Sequence, residues 1–292
     1  MAISVDHWIP PNHSATSSSW RNRTLAAHGL WQCGVAHLWY AWLNQPQRRV
    51  HRLWLTLSPD ECAQAMQFAT RQAVERYIVG RGLLRVILAR YLQIRPAQVS
   101  IVATVGGKPQ LLGAAQHISF NMAHSRSLVV YAVACGYEIG VDVEHRAVVE
   151  QTERDVMYDG FLCDQEAVLL RRLHPSRHSE WFLRFWTRKE AYAKGTGRGI
   201  SPAFARMDTS RARHVRLLTQ DGPLANAEPW TLLGFAPTPR YIATVAIADE
   251  GWQLASRKRV RCARGIPAPQ GVYLSKIATR SRLGGVTNDS LR

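Results

Sequence analysis

The residues best placed by type and spacing to do chemistry are three carboxylates and a lysine. In Gly140-Val141-Asp142-Val143-Glu144 acidic and apolar residues alternate. On a β-strand residues i and i+2 share a face, about 6–7 Å apart. Asp142 and Glu144 would therefore stand side by side while Val141 and Val143 enter the core. Two adjacent like charges repel unless a cation neutralises them, which makes the pair a candidate Mg²⁺ site. The same alternation also suits an edge strand whose polar face meets water. The second element is Phe185-Trp186-Thr187-Arg188-Lys189-Glu190-Ala191-Tyr192-Ala193-Lys194-Gly195. It reads as a helix, seated by Phe182, Phe185, Trp186 and Ala193. Glu190 and Lys194 then share a face at i and i+4. They are either an exposed helical ion pair or a third metal carboxylate beside a lysine that neutralises phosphate. His124, in Asn121-Met122-Ala123-His124-Ser125, is offered by a loop between two strand candidates; Arg76 and Lys108 are ordinary in isolation.

The elements that must position these residues follow from pattern. Residues 1–30 read as a polar extension, poorly ordered. His51–Leu57 has a strand-like run, and Ser58-Pro59-Asp60-Glu61 is a helix start with a capping serine, proline in the first turn and acids behind it. A helix is expected over Gln72–Leu92. Strands are expected over Val99–Val105, Ile118–Asn121 and Leu128–Cys135, the last pairing with Glu138–Glu144 across Cys135-Gly136-Tyr137. In the second half, helices over Gln165–Leu173 and Ser179–Lys194 precede strands over Val215–Leu218, Trp230–Phe235 and Tyr241–Ala248. Helix then strands, twice, suggests an α+β fold of two similar halves, spanning residues 31–140 and 141–256.

Composition bounds the function. The chain has 292 residues with 37 Lys and Arg against 21 Asp and Glu, a formal net charge of +16. Nine basic residues and one acid fall in 257–292, so this stretch, read as a solvated basic tail, carries half of the excess. The rest implies a surface that attracts phosphates or an acidic protein. A hydrophobic share of 46% excludes wholesale disorder, and no apolar run approaches the ~20 residues of a membrane span. Five cysteines without a C-x-x-C pair point to reduced thiols in the cytoplasm, with neither a disulfide framework nor a zinc site.

Taken in order, Arg76-Tyr77-Ile78-Val79-Gly80-Arg81, Gly107-Lys108-Pro109, Phe120–Ser125, Gly140–Glu144 and Trp186–Lys194 resemble the 4′-phosphopantetheinyl transferases of the longer, monomeric, surfactin-synthesis type, over about residues 50–250. The resemblance implies a pseudo-dimer of two α+β halves, each a helix on a small, mainly antiparallel sheet, with the active site at their interface. It implies transfer of the phosphopantetheine arm of coenzyme A to a serine of an apo acyl or peptidyl carrier protein, releasing adenosine 3′,5′-bisphosphate. By motif position Asp142, Glu144 and Glu190 would hold Mg²⁺ and Lys194 would meet the phosphates. Arg76, Arg81 and His124 would meet the 3′-phosphate and its surroundings, and Lys108 and Pro109 the adenine side. The chain departs from the pattern at Glu61 and Gln64, where lysines are frequent, and at Ala123, where serine is common. The rival readings are a basic nucleic-acid-binding protein and a non-catalytic coenzyme A or carrier-protein binder; the transferase reading needs neither nucleic acid nor membrane.

Overall fold

The computed structural model describes residues 35–104, 106–113, 116–146, 161–199, 207–210, 216–217, 229–249, 251–256 and 270–276. The expected extension 1–30 and most of 257–292 lie outside them. In chain order the elements are β1 (Val35–Trp42), α1 (Gln47–Trp54), α2 (Pro59–Ala65), α3 (Arg71–Leu92), β2 (Ile101–Ala103), β3 (Pro109–Leu111), β4 (Ile118–Ser125), β5 (Leu128–Cys135) and β6 (Ile139–His145). They continue with α4 (Asp164–Arg171), α5 (His178–Thr196), β7 (Met207–Asp208), β8 (Arg216–Leu217), β9 (Trp230–Phe235), β10 (Tyr241–Ala248), β11 (Trp252–Ser256) and β12 (Gln270–Lys276). The fold is α+β, as expected. Its strands form antiparallel sheets, the larger two ordered β11-β12-β1-β5-β4 and β6-β10-β9.

Alternation along the strands builds the layers. Leu38, Ala123, Val130 and Ala132 of the first sheet pack against Val141, Val143, Ala243 and Val245 of the second. The opposite face of the first sheet, with Trp39, Phe120, Tyr131 and Val133, receives α3 through Ile78, Val79, Leu83 and Ile87. Tyr131 Oη donates to the Gly80 carbonyl there at 2.9 Å. Helix α5 covers the outer face of the second sheet through Ala191, Tyr192 and Ala193, against Leu232, Ala246 and Ala248. The order of layers is therefore α3, sheet, sheet, α5. No helix among the described residues is long and apolar enough to cross a membrane.

Three local expectations are corrected. His51–Leu57 is not a strand: Val50, Leu53 and Trp54 bury one face at helical spacing, and α1 takes the segment. The hairpin of Leu128–Cys135 with Glu138–Glu144 does not form. Both edges of β5 are taken, by β1 and β4, so β6 crosses to the second sheet and pairs with β10. The hairpin partner of β5 is β4, joined through Arg126-Ser127 with Arg126 at φ 50°. Third, seven residues of the stretch expected as a tail form β12, paired with β1, and β11 joins the same sheet. The helix start at Ser58 is as expected, a capping box in which Ser58 and Glu61 satisfy each other's backbone N–H groups, worth about 1 kcal/mol.

Among the described residues the first sheet buries one histidine. His37 is buried, its Nδ1 2.5 Å from Tyr91 Oη, and Trp39 Nε1 donates to the same Oη at 3.0 Å. Burial holds His37 near a pKa of about 4, against about 6.5 unfolded. The unfolded chain therefore binds a proton first, and stability present above pH 6.5 is lost as pH falls toward 4. The full loss is about 3 kcal/mol. Urea unfolding of wild type and His37→Gln at pH 7 and pH 4.5 checks this. The variant should lose less stability on acidification; equal losses would contradict the assignment.

Candidate active site

The site begins with two glycines. A Cβ on Gly140 of β6 would lie 2.0 Å from the Ala191 carbonyl oxygen and 2.7 Å from Gly195 Cα. A Cβ on Gly195 would meet the Trp230 ring at 2.5 Å. Helix α5 thus lies directly on β6 because neither contact point carries a side chain. With Val141 and Val143 facing the other sheet, Asp142 and Glu144 face the helix, where Glu190 and Lys194 project from one shoulder. Lys194 Nζ donates to Asp142 Oδ1 at 2.6 Å and stands 3.7 Å from Glu190 Oε2. Glu190 and Lys194 do form an i,i+4 pair, but not a fully exposed one: the Glu190 side chain is 8% exposed and that of Lys194 34%.

This arrangement leaves unfinished polar groups. Asp142 Oδ2 and Glu190 Oε1 are buried and make no hydrogen bond. Burial pushes the Asp142 carboxyl up to about 7 against the opposing charge of Lys194, with Glu144 and Glu190 raising it further. Glu190 is raised too, again chiefly by burial. Two partnerless carboxylate oxygens beside a third carboxylate form a hard, oxygen-only donor set of the kind Mg²⁺ prefers, so the residues fit the ion. The carboxylates are not drawn tight around a point. Among the described residues the trio whose ligand atoms all lie within 4.8 Å of one another is Cys163, Glu166 and Asp208. There Lys189 Nζ, 2.6 Å from Glu166 Oε2 and buried, already supplies the cation.

Other expected residues are placed as follows. His124 lies on strand β4, paired with Val129 of β5, and not in a loop as expected. Its partial desolvation, with Lys194 and Arg76 nearby, pushes its pKa down against the pull of Glu144, so it joins the electrostatic neighbourhood of the acids. Arg76 Nε donates to Asn44 Oδ1 at 3.1 Å. Arg81 is not brought to the acids: it bonds Glu61 at 3.0 Å, and Glu61 also accepts from the buried Arg85. The departure from lysine at Glu61 thus has a structural partner set, closing α2 onto α3. Lys108 is buried, its Nζ donating to Glu138 and to the Gly195 carbonyl. With Pro109 it lines a cleft beside Ser119 and Phe120, beyond the C-terminal end of α5.

Two residues passed over in the sequence reading hold the site together. Ser125 Oγ donates to Glu144 Oε2 at 2.7 Å and accepts from His145 N–H at 3.2 Å. Buried Asn121 accepts from Val141 N–H at 3.0 Å. Both bind β4 of one sheet to β6 of the other; strand alternation puts them on one face with Ala123, opposite His124, but no local signal names their partners on β6. Ser125→Ala should reduce turnover about ten-fold, as loss of a partner orienting a ligand carboxylate does. The Michaelis constant for coenzyme A should hold and Ser125→Thr should restore most of the rate. A variant with unchanged turnover would remove Ser125 from the account.

Comparison with known proteins assigns the chain to a class. The family model described as the 4′-phosphopantetheinyl transferase superfamily matches residues 138–246, and the N-terminal 4′-phosphopantetheinyl transferase model matches residues 41–136. The 4′-phosphopantetheinyl transferase HetI of Nostoc sp. (strain PCC 7120) is 36% identical over 223 residues, 74% of this chain and 89% of its own. The Bacillus subtilis (strain 168) transferase Sfp is 24% identical over 214 residues, 72% and 85% of the two chains. The chain belongs to the 4′-phosphopantetheinyl transferase superfamily and is an enzyme that transfers phosphopantetheine to carrier proteins.

Proposed function

We propose that the chain is a Mg²⁺-dependent transferase that moves the phosphopantetheine arm of coenzyme A to a serine of an apo acyl or peptidyl carrier protein and releases adenosine 3′,5′-bisphosphate. The observation that carries this reading is the pair of buried, partnerless oxygens on Asp142 and Glu190, flanking Lys194. Asp142, Glu144 and Glu190 would hold the ion, which when bound neutralises pyrophosphate charge. The serine hydroxyl forms a bond to the β-phosphorus, and the bond from that phosphorus to the leaving nucleotide oxygen breaks. Glu190, whose pKa is raised by burial, takes the serine proton directly or through a water. Lys194, whose side chain is 34% exposed, turns its charge to the phosphate oxygens. Arg76 and His124 would receive the 3′-phosphate, and Lys108 and Pro109 would border the adenine. Arg81 would contribute only by sharing its guanidinium with Glu61.

The catalytic unit is read as two similar halves, 31–140 and 141–256, acting as a monomeric pseudo-dimer. Support comes from the matching layers, α3 on one sheet and α5 on the other, with the acids beside their junction. The 140/141 boundary divides β6, so the structural break is better drawn before Ile139. A cytoplasmic setting fits Cys62, Cys135 and Cys163, none of which is in a disulfide. The test is metal dependence: transfer should stop in excess chelator and return with Mg²⁺. Undiminished transfer in chelator would refute the metal reading while leaving the transferase activity standing.

A further inference from the structure

Helix α5 has a second polar shoulder. Thr187 faces the sheet, its hydroxyl 3.0 Å from that of Thr244. Glu190 and Lys194 lie to one side of that line and Arg184 and Arg188 to the other. On the arginine side a cleft of about 220 Å³ opens against β9 and β10, lined by Arg146, Arg184 and Arg188, with Gly234 and Ala243 among its walls. Its charge is far from balanced. Glu180 is within reach of Arg184 at 2.7 Å, Arg146 at 3.2 Å and Arg177 at 3.8 Å, one carboxylate for three guanidiniums. Arg188 is 7% exposed and donates through Nη1 to the Thr209 carbonyl at 2.7 Å, a neutral acceptor. Its nearest acidic influence among the described residues, Glu166, acts on it from beyond ion-pair distance and is already paired with Lys189 at 2.6 Å. Arg146 Nε is buried and makes no hydrogen bond.

A buried guanidinium facing two others is unfavourable unless an anion completes it, and guanidinium forks suit the oxygens of phosphate. We infer that this cleft binds a phosphate group, at a site separate from the acid cluster. The ligand chemistry is a tetrahedral oxyanion held by Arg146, Arg184 and Arg188, whether free phosphate or the phosphate of a small monoester. Binding there would brace α5, the helix that carries Glu190 and Lys194, against β9 and β10.

The test uses the full chain saturated with coenzyme A, so that the phosphate positions of the catalytic site are filled. Sodium phosphate is titrated against sodium chloride at constant ionic strength, and the melting temperature is followed. Glycerol 3-phosphate forms a second arm. A saturating rise is expected, with the half-saturating concentration raised about ten-fold or more in Arg146→Gln/Arg184→Gln. Saturation with phosphate alone assigns the cleft to the free ion, and saturation in both arms admits a monoester. Arg146→Lys, which keeps the charge but loses the fork, should weaken binding by less and covers a misfolded double variant. A linear response, or an identical one in both variants, would mean a general ion effect and overturn the site.

Discussion

Glu190→Gln is expected to lower the rate of phosphopantetheinyl transfer by about 10³-fold while the protein melts no lower than wild type. Glutamine keeps the shape of the side chain but cannot accept the serine proton, and general-base assistance of this kind contributes about 10²–10⁴-fold. It also removes one of the anionic ligands around the proposed ion. The stability side has the opposite sign. Glu190 is buried, one of its oxygens has no partner, and burial together with Glu144 disfavours its charged form. A neutral amide relieves that electrostatic cost, so the site gives up stability for function and the variant recovers some of it. Steady-state transfer kinetics with thermal unfolding in parallel check both halves. Wild-type rates would remove Glu190 from the chemistry, and a collapsed melting temperature would make it a structural residue.

Lys194→Ala should slow turnover by about 10²–10³-fold, the range for removing one preorganised group that stabilises developing phosphoryl charge. Carrier-protein affinity should stay within about two-fold, because Lys194 lies beside Asp142 and Glu190 rather than on an outer surface. Without the ammonium, Asp142 loses its hydrogen-bond donor and its main charge partner, so its already raised pKa rises further. Ionising it then requires higher pH, and the activity lost in the variant should be partly recovered on moving from neutral to alkaline buffer. Single-turnover rates across pH, with carrier binding measured separately, test this. Unchanged turnover, or a loss carried wholly by weaker carrier binding, would contradict the role given to Lys194.

What could be read from sequence depended on how local the cause was. Asp142, Glu144, Glu190 and Lys194 were legible because strand and helix periods fix which side chains share a face. The helix start at Ser58 was legible because capping serine, proline and first-turn acids are adjacent in sequence. The hairpin with β6 was misread because pairing depends on which strand edges remain open. Nothing within Leu128–Cys135 reveals that β1 and β4 occupy both of its sides. β12 was missed for a related reason: its partner, β1, lies more than two hundred residues earlier in the chain. Ser125 and Asn121 act across the two sheets, so their partners are likewise invisible to local pattern. Arg81 sits in a motif whose spacing is intact, yet its immediate partner is Glu61, a pairing set by the closure of α2 on α3.

The central claim is that the cluster of Asp142, Glu144, Glu190 and Lys194 transfers phosphopantetheine with help from Mg²⁺. The most direct measurement is the intact mass of an apo acyl or peptidyl carrier protein incubated with the full chain, coenzyme A and Mg²⁺. The account predicts a gain of one phosphopantetheine arm on the carrier serine, absent without coenzyme A, in excess chelator or with Glu190→Gln. Modification that proceeds equally well with the Glu190→Gln chain would contradict it.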